Sequence, residues 1–155
     1  FLPEDYLVMS LQEEPWGRIA SGIKRYEYRH RFRLRPSVVF IYVTVPTARI
    51  EGVLVLGSPI VGTAREIGDL AERHIPGNGE AVFEYFAPKD RGMAIPIAGV
   101  KLLDPVPLRW ARETYDFLPP QSYMALYKKP ELFAFLLSRA GIDDIGDPLR
   151  FGFTD

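Results

Sequence analysis

The segment of residues 38–45 is the strongest strand signal in the chain, and it limits the folds that the chain can adopt. It is rich in β-branched and aromatic residues, which favour extended backbone, and Pro46 ends it. It is far shorter than the roughly 18 apolar residues that a membrane-spanning helix requires. A strand of this kind needs partner strands, so the chain is expected to form a sheet.

Other strand signals lie on both sides of this segment. Residues 6–11 form a short apolar run, and residues 24–31 alternate between charged and aromatic side chains. Residues 48–56 continue the strand pattern towards residue 61, where Gly57 and Pro59 indicate a bend or bulge, and residues 93–103 return to strand character. Because no long crossover separates most of these segments, they favour a mostly antiparallel sheet.

Helix signals lie between and after the strands. A short helix is predicted after Pro15, with Gly22 as its C-terminal stop, and Thr63 with Glu66 forms a capping box before a helix to about residue 74. Further helical segments are predicted at residues 80–86, 108–115, 124–127 and 131–140. The order of elements predicts an α+β fold: a small, curled, mostly antiparallel β-barrel with flanking helices.

The chain of 155 residues suits a single domain with one real core. It contains no internal repeat and no low-complexity linker. From about residue 109 it is expected to form a helical C-terminal extension, and the acidic, Gly-rich tail after Asp143 is expected to be loose. The chain begins with Phe1, which is compatible with trimming of a longer protein.

Composition excludes several kinds of site. The chain has no cysteine, which removes disulfides, thiolate nucleophiles and cysteine zinc sites and is compatible with a reducing cytoplasm. Its two histidines, His30 and His74, are far apart in sequence. We therefore expect no metal site, no cofactor, no membrane contact and a cytoplasmic location.

The stretch of residues 18–35 concentrates positive charge. It holds seven basic side chains and a single acid, Glu27. With the period of a strand, Arg25, Glu27, Arg29 and Arg31 lie on one face, and Lys24 lies with the aromatic side chains on the other. The acid either forms an ion pair with Arg25 or Arg29, or it recognises a ligand that the cations attract.

The arginines that follow this strand are interpreted as one patch. Arg31, Arg33 and Arg35 are expected to be flexible and to attract a phosphate backbone without sequence preference. The alternative for this patch is a solvated loop.

Two segments carry a resemblance to a known family. The first is Ser10-Leu-Gln-x-x-Pro-Trp16 followed by Ile19-x-x-Gly22-x-Lys24-x-x-Glu27-x-Arg29. The second is Ile41-Tyr-Val-Thr-Val-Pro46 followed by Ile50-x-Gly52. Together they resemble the ASCH domain family, a branch of the PUA-like β-barrels, over about residues 6–103. The segment after Arg109 lies outside the resemblance.

The resemblance implies a fold similar to RNA-binding PUA modules, and a role in RNA metabolism or translation-linked regulation. One branch of the family hydrolyses N4-acetylcytidine with a lysine, a threonine three residues later and a more distant glutamate. Lys24 matches the lysine, Glu27 occupies the threonine position, and Glu80 is the nearest candidate for the later glutamate. A carboxylate is not an equivalent nucleophile to a hydroxyl, so that activity would need different chemistry here. Other members are described as ribonucleases or coactivator-like RNA binders, and the motif does not separate these.

The leading prediction is a cleft that binds RNA, another single-stranded nucleic acid, or a nucleotide or nucleoside. Lys24 supplies a cation for phosphate or a proton donor, and Arg29 orients Glu27 or binds phosphate. Glu27 accepts hydrogen bonds from a base edge or acts as a general base. The other candidate ligand-binding residues are Trp16, Arg25, Arg31, Tyr42, Thr44, Ser122 and Tyr123.

Packing is the alternative role for several of these residues. Trp16 either stacks on an unpaired base or packs the first helix onto the barrel. Tyr42 and Thr44 share a strand face that points either into the cleft or into the core. Ser122 and Tyr123 are expected to close the cleft from its far side.

Two further functions remain open at this point. An enzyme would hydrolyse a modified nucleoside or an RNA phosphodiester, with Lys24 and Glu27 as acid and base and Glu80 as a weaker candidate. A protein-interaction module would present the aromatic helix that begins at about residue 131, and the exposure of Phe133 and Phe135 distinguishes it. The sequence does not predict an oligomeric state.

Overall fold

A computed structural model describes all 155 residues. The helices are α1 (Glu13–Ala20), α2 (Ala64–His74), α3 (Gly79–Phe86), α4 (Leu108–Tyr115) and α5 (Pro130–Ala140). The strands are β1 (Tyr6–Leu11), β2 (Tyr26–Arg29), β3 (Ser37–Val43), β4 (Arg49–Leu56), β5 (Ile60–Gly62), β6 (Gly92–Pro107) and β7 (Tyr123–Ala125). None of the helices has the length and apolar character that crossing a membrane requires.

The strands form one curled sheet in the order β2-β6-β4-β3-β1-β7, and β5 also pairs with β6. Every pair is antiparallel except β1 with β3, which run parallel. The long strand β6 pairs with β2 and β5 in its first part and with β4 in its second part. The α+β fold predicted from the sequence, a curled and mostly antiparallel sheet with flanking helices, is confirmed.

Alternate side chains of the central strands project to opposite faces of the sheet, and each face carries its own hydrophobic core. Met9 and Ile41 belong to the core that contains Trp16 and Ile19 of α1. Their neighbours on the strands belong to a second core with α4 and α5, which includes Val8, Phe40, Ala111 and Leu136. A third, smaller cluster lies beneath α2 and α3 and includes Ile67 and Phe86.

The C-terminal segment covers one face of the sheet and shares its core, since Leu132 and Leu136 of α5 are buried with the central strands. The tail was expected to be loose, and this prediction is wrong. Thr154 pairs with Val100 of β6 through N···O distances of 2.7 and 2.9 Å. Lys101 Nζ also donates to the carbonyl oxygen of Phe151 at 2.7 Å.

The segment of residues 124–127 was predicted as a helical turn, and the structure corrects this. Tyr123–Ala125 is strand β7, which pairs with β1 through Tyr123 and Met9, and a 3-10 turn, Leu126–Lys128, follows it. Three residues are too few to show strand periodicity, so the pairing partner decides the conformation. This strand forms one edge of the sheet.

Candidate functional site

The two edge strands of the curled sheet, β2 and β7, approach each other, and the candidate site lies between them. Arg29 Nη1 at the end of β2 donates to Ser122 Oγ, directly before β7, at 3.2 Å. The rings of Phe32 and Tyr123 also meet across this gap, with centroids 5.0 Å apart. We call this gap the edge cleft, with Lys24, Glu27 and Arg29 on one side and Ser122 and Tyr123 on the other.

Glu27 is the centre of the first side. It lies opposite Ile95 of β6, so its side chain projects to the same face as a core residue and is only 5% exposed. Lys24 Nζ lies 2.9 Å from Oε1, and Arg29 Nε lies 3.1 Å from Oε2. A carboxylate removed from water in this way must be paired, and here each oxygen has its own cation. The three side chains together carry one net positive charge.

Lys24 reaches Glu27 because it lies before the strand. The sequence predicted that residues 24–31 alternate as one strand, which would place Lys24 on the face opposite Glu27. The structure corrects this, since β2 begins only at Tyr26. Gly22 adopts a left-handed backbone with φ of +83°, and the Lys24 N–H donates to the Arg18 carbonyl at 3.0 Å. This turn after α1 directs the ammonium group to the carboxylate.

The far side of the edge cleft is fixed to β1. Ser10 donates from Oγ to the carbonyl oxygen of Pro120 at 2.6 Å, and its N–H donates to the carbonyl oxygen of Ser122 at 3.2 Å. Ser122 is exposed, and Tyr123 is 38% exposed. Both residues of this segment thus lie beside the edge of β2, through the Arg29–Ser122 hydrogen bond and the Phe32–Tyr123 contact. Ser10 was not predicted, although a hydroxyl at the end of a buried strand is a signal that the sequence contains.

The aromatic side chains beside Glu27 face away from it. Tyr26 and Tyr28 pack against the cluster under α2 and α3. Burial raises the pKa of Tyr28 to about 12, with smaller contributions from Tyr26 and Glu27. Tyr28 is therefore a neutral phenol near neutral pH, and Lys24 Nζ lies 5.8 Å from its ring centroid.

Trp16 does not line the edge cleft. Its side chain is 6% exposed, and it lies over Gly52, where a Cβ atom would collide with its ring. It packs α1 onto the sheet as a core residue, and it has no free face on which a base could stack. Of the two roles that the sequence left open for Trp16, the structure supports packing.

Tyr42 lies on the opposite face of the sheet from the cleft. It is 3% exposed in the core under α4 and α5, and its ring centroid is 5.9 Å from that of Phe117. Burial raises its pKa, and the nearby Arg112 opposes this shift. Thr44 is half-buried after the end of β3, where its N–H donates to the Leu11 carbonyl at 2.9 Å. Neither residue contacts the Lys24, Glu27 and Arg29 cluster.

The basic patch predicted after β2 is divided by a second buried acid, Asp5. Arg33 Nη2 lies 2.8 Å from Oδ1 of Asp5, and Arg35 Nη2 lies 3.3 Å from Oδ2. Burial tends to raise the pKa of Asp5, but the Leu2 N–H and the two guanidinium groups outweigh it and hold the pKa below its usual value. Arg33 and Arg35 were predicted to be flexible cations of one patch with Arg31, whereas in the structure both form ion pairs with a carboxylate distant in sequence.

The remaining predicted residues lie outside the Glu27 cluster. Arg25 and Arg31 are exposed, and neither forms an ion pair. Glu80 lies exposed in the first turn of α3, beside Asp69 and Glu72 at the turn between α2 and α3. The structure does not bring Glu80 to Lys24. No group of three or more His, Cys, Asp or Glu side chains is arranged to hold a metal ion.

The fold has solved counterparts. The crystal structure of ASCH from Zymomonas mobilis aligns with a TM-score of 0.73 at 24% identity, covering 86% of this chain and 96% of that one. A variant of that protein, in which a serine is replaced by alanine, aligns over 88% of this chain and 99% of its own, with the same TM-score and identity.

This chain has the ASCH fold. The N-terminal domain of Staphylothermus marinus McrB is more distantly similar in structure, with a TM-score of 0.58 at 13% identity over 88% of this chain and 94% of that one. No protein-family model matches the sequence, and no curated protein matches it significantly. The structural alignment covers a larger share of the chain than residues 6–103, over which the sequence resemblance was found.

Proposed function

We propose that the protein is a cytoplasmic ASCH domain that binds RNA or a nucleotide in the edge cleft, through Lys24, Glu27 and Arg29. The observation that carries this proposal is the buried Glu27 with one cation on each oxygen, at a gap between two strand edges. Glu27 thereby holds the ammonium group of Lys24 and the guanidinium group of Arg29 in fixed orientations at the edge of the sheet.

The cations are the part of this cluster that a ligand meets. The side chains of Lys24 and Arg29 are 17% and 18% exposed, whereas that of Glu27 is 6% exposed. A phosphate would therefore contact the ammonium and guanidinium groups, and Glu27 beneath them would hold their orientation. An ionised carboxylate has about four acceptor sites, so Glu27 retains capacity for an exocyclic amine of a base.

The test is the binding of a labelled single-stranded RNA as a function of salt concentration. The double variant Lys24→Ala/Arg29→Ala is expected to lower affinity about 25-fold at roughly 0.1 M salt, since two phosphate contacts each contribute a slope of about −0.7. The matched control is Arg73→Ala/Lys128→Ala, which removes the same charge at exposed positions that form no ion pair. Binding that is insensitive to salt and equal in both variants contradicts the proposal.

The removal of both cations leaves a buried carboxylate without partners, so folding must be checked in the same experiment. The triple variant Lys24→Ala/Glu27→Gln/Arg29→Ala removes that buried charge. Thermal denaturation of both variants shows which of them retains the fold. The loss of affinity is interpreted from the variant that does.

Hydrolysis is a second candidate function, and the 2.9 Å contact between Lys24 Nζ and Glu27 Oε1 favours it. Such a distance permits proton transfer between an acid and a base, and the Ser122 hydroxyl lies across the cleft. The substrate would be a modified nucleoside of the N4-acetylcytidine type or an RNA phosphodiester. Incubation with each substrate, followed by product analysis, tests this. Turnover that persists in Glu27→Gln contradicts it, as does a lack of turnover in the unmodified protein.

The third possibility, a protein-interaction surface on α5, receives little support. Phe133 is 9% exposed, and its ring packs against Tyr6 with centroids 5.2 Å apart. Phe135 is half-buried against Trp110, with a centroid distance of 4.9 Å. The aromatic side chains that suggested a docking helix are thus largely occupied within the fold.

A further inference from the structure

A second groove continues from the edge cleft beyond the end of β2. Its walls come from three places in the chain: Arg31 and Phe32 after β2, Val61 of β5, and Lys89 and Arg91 directly before β6. We call it the basic groove. Lys89 and Arg91 were not predicted as site residues, although two cations in a turn before a strand are visible in the sequence.

The basic groove carries unpaired positive charge. Arg31, Lys89 and Arg91 are all exposed, and none has a carboxylate within 4.0 Å. In contrast, the cations of the Glu27 cluster share one acid. Three unpaired cations around one groove repel each other, so an anion bound there would be stabilised by all three.

Two acids close in sequence to residues of this groove are directed elsewhere. Asp90 lies between Lys89 and Arg91 with a left-handed backbone, φ 46°, and its Oδ1 accepts a hydrogen bond from the Ala64 N–H at 3.2 Å. Glu66 Oε1 accepts from the Thr63 N–H at 2.9 Å. Both carboxylates therefore accept hydrogen bonds from backbone N–H groups at the N-terminus of α2, and neither forms an ion pair with a cation of the groove.

The basic groove and the edge cleft are contiguous. Arg29, which binds Glu27, pairs with Met93 of β6, and Met93 also lines the basic groove. Phe32 contributes to the groove, and its ring packs against Tyr123 on the far side of the cleft. The partly exposed face of Tyr123 lies at the junction, where an aromatic ring can stack on a base.

The Glu27 cluster and the basic groove follow one another along the chain. Glu27 and Arg29 are two residues apart on β2, which is about 7 Å, and Arg31 lies two residues further on. A chain of nucleotides that runs along β2 from the edge cleft would therefore place its following phosphates at the basic groove.

We propose that the basic groove binds the phosphates of nucleotides adjacent to the one in the edge cleft, so that the ligand is a single-stranded nucleic acid chain. This inference rests on the proposed function, and it selects a chain over a free nucleotide. Cations lining a groove with an aromatic ring at its entrance are the usual combination for unpaired strands, because every base presents a face for stacking.

The experiment compares a chain with a free nucleotide. A labelled RNA of about 12 nucleotides and a DNA of the same sequence are titrated at several salt concentrations, and cytidine monophosphate is titrated separately by calorimetry. The variant is Lys89→Ala/Arg91→Ala, and the control is again Arg73→Ala/Lys128→Ala. All four positions are exposed, so each variant is expected to fold, as thermal denaturation will show.

We expect the groove variant to bind the RNA about 25-fold more weakly at roughly 0.1 M salt, and its salt slope to fall by about 1.4. Its affinity for cytidine monophosphate is expected to be unchanged. A comparison of RNA with DNA shows whether the 2′-hydroxyl contributes, and a groove contribution to either chain supports the proposal.

Two outcomes separate the failure of this proposal from that of the proposed function. If the unmodified protein binds the RNA and the groove variant binds it as the control does, the basic groove is not a phosphate site and the proposed function stands. If the unmodified protein binds neither the chains nor the nucleotide, the proposed function fails and this inference fails with it.

Discussion

Trp16 and Gly52 show how a single residue determines which surface is available to a ligand. Trp16 lies in the α1 segment that resembles ASCH domains, and its indole occupies the space that a side chain at position 52 would fill. The lack of a Cβ atom at Gly52 therefore buries the indole in the core beneath α1. The tryptophan is visible in the sequence, but its burial depends on Gly52 in β4, which is distant in the chain.

Gly52→Ala is expected to destabilise the protein by about 1–3 kcal/mol, because the new methyl group meets the Trp16 ring and, at 3.2 Å, the Lys101 carbonyl oxygen. The matched control is Gly17→Ala in α1, where no atom lies within 4 Å of the new Cβ. That change should stabilise the helix by about 0.5–1 kcal/mol. Urea denaturation measures both, and equal effects of the two changes would contradict the packing of Trp16 on Gly52.

Asp5 gives the protein a predictable response to acid. Its pKa is lower in the folded protein than the ordinary value of 3.8, so its contribution to stability is complete above that pH and is lost as the pH falls through the folded pKa. Asp5→Asn is expected to lower the free energy of unfolding by about 2 kcal/mol at neutral pH, since charged hydrogen bonds to Arg33 and Arg35 are lost.

The difference between Asp5→Asn and the unmodified protein should narrow as the pH falls below 3.8. Asp143→Asn is the control, since Asp143 is exposed and forms no ion pair. Urea denaturation across this pH range measures the effect. If the difference in the free energy of unfolding stays constant with pH, Asp5 stabilises the fold through packing rather than through its charge.

Among the helices, α2 has the N-terminus that depends most clearly on residues adjacent in sequence. Thr63 Oγ1 accepts from the Glu66 N–H at 3.1 Å, and the Glu66 carboxylate accepts from the Thr63 N–H, so the capping box predicted from the sequence forms. Hydrogen bonds from the backbone N–H and the hydroxyl of Thr63 to the Glu66 carboxylate lower the pKa of Glu66. Thr63 and Glu66 lie three residues apart, so the capping box can be predicted without knowledge of any tertiary contact.

Thr63→Ala is expected to lower the free energy of unfolding by about 1 kcal/mol, because the Glu66 N–H in the first turn of α2 loses its hydroxyl acceptor. Thr114→Ala is the control, since Thr114 lies exposed within α4, and alanine favours a helix there. Thermal denaturation of both variants measures the difference. If the control is destabilised as much as Thr63→Ala, the cap is not the cause.

At the scale of the whole molecule, the sheet lies between two cores, and each core has one tryptophan beside it. Trp16 belongs to the core under α1, and Trp110 of α4 packs on Phe135 on the opposite side. Since β1 and β3 contribute side chains to both cores, neither core can be lost while the other is kept. The C-terminal helices are therefore expected to unfold with the rest as one domain.

The variants Trp16→Phe and Trp110→Phe each retain one tryptophan, and fluorescence then reports on one side of the sheet at a time. We expect the midpoint from fluorescence to coincide with that from circular dichroism within each variant, as for a two-state domain. Midpoints that differ between the two probes would instead show that the C-terminal helices unfold as a separate unit.

The local elements of this protein could be predicted from the sequence alone. The capping box of α2, the strand that became β3 and the helix stop at Gly22 all depend on neighbours a few residues apart, and each was predicted near its observed place. The motif that resembles ASCH domains identified Lys24, Glu27 and Arg29 as candidate site residues, but strand alternation placed Lys24 on the wrong face. The resemblance to ASCH domains supplied the fold.

The charges that are available to a ligand could not be predicted from the sequence, because they depend on tertiary contacts. Arg33 and Arg35 lie in the same basic stretch as Arg31, yet both bind Asp5, which is nearly 30 residues away. Lys89 and Arg91, which precede β6, lie around the same groove as Arg31, because β2 pairs with β6. Ion pairs form between side chains that the fold brings within a few ångströms, and this distance is set by strand pairing rather than by separation along the chain.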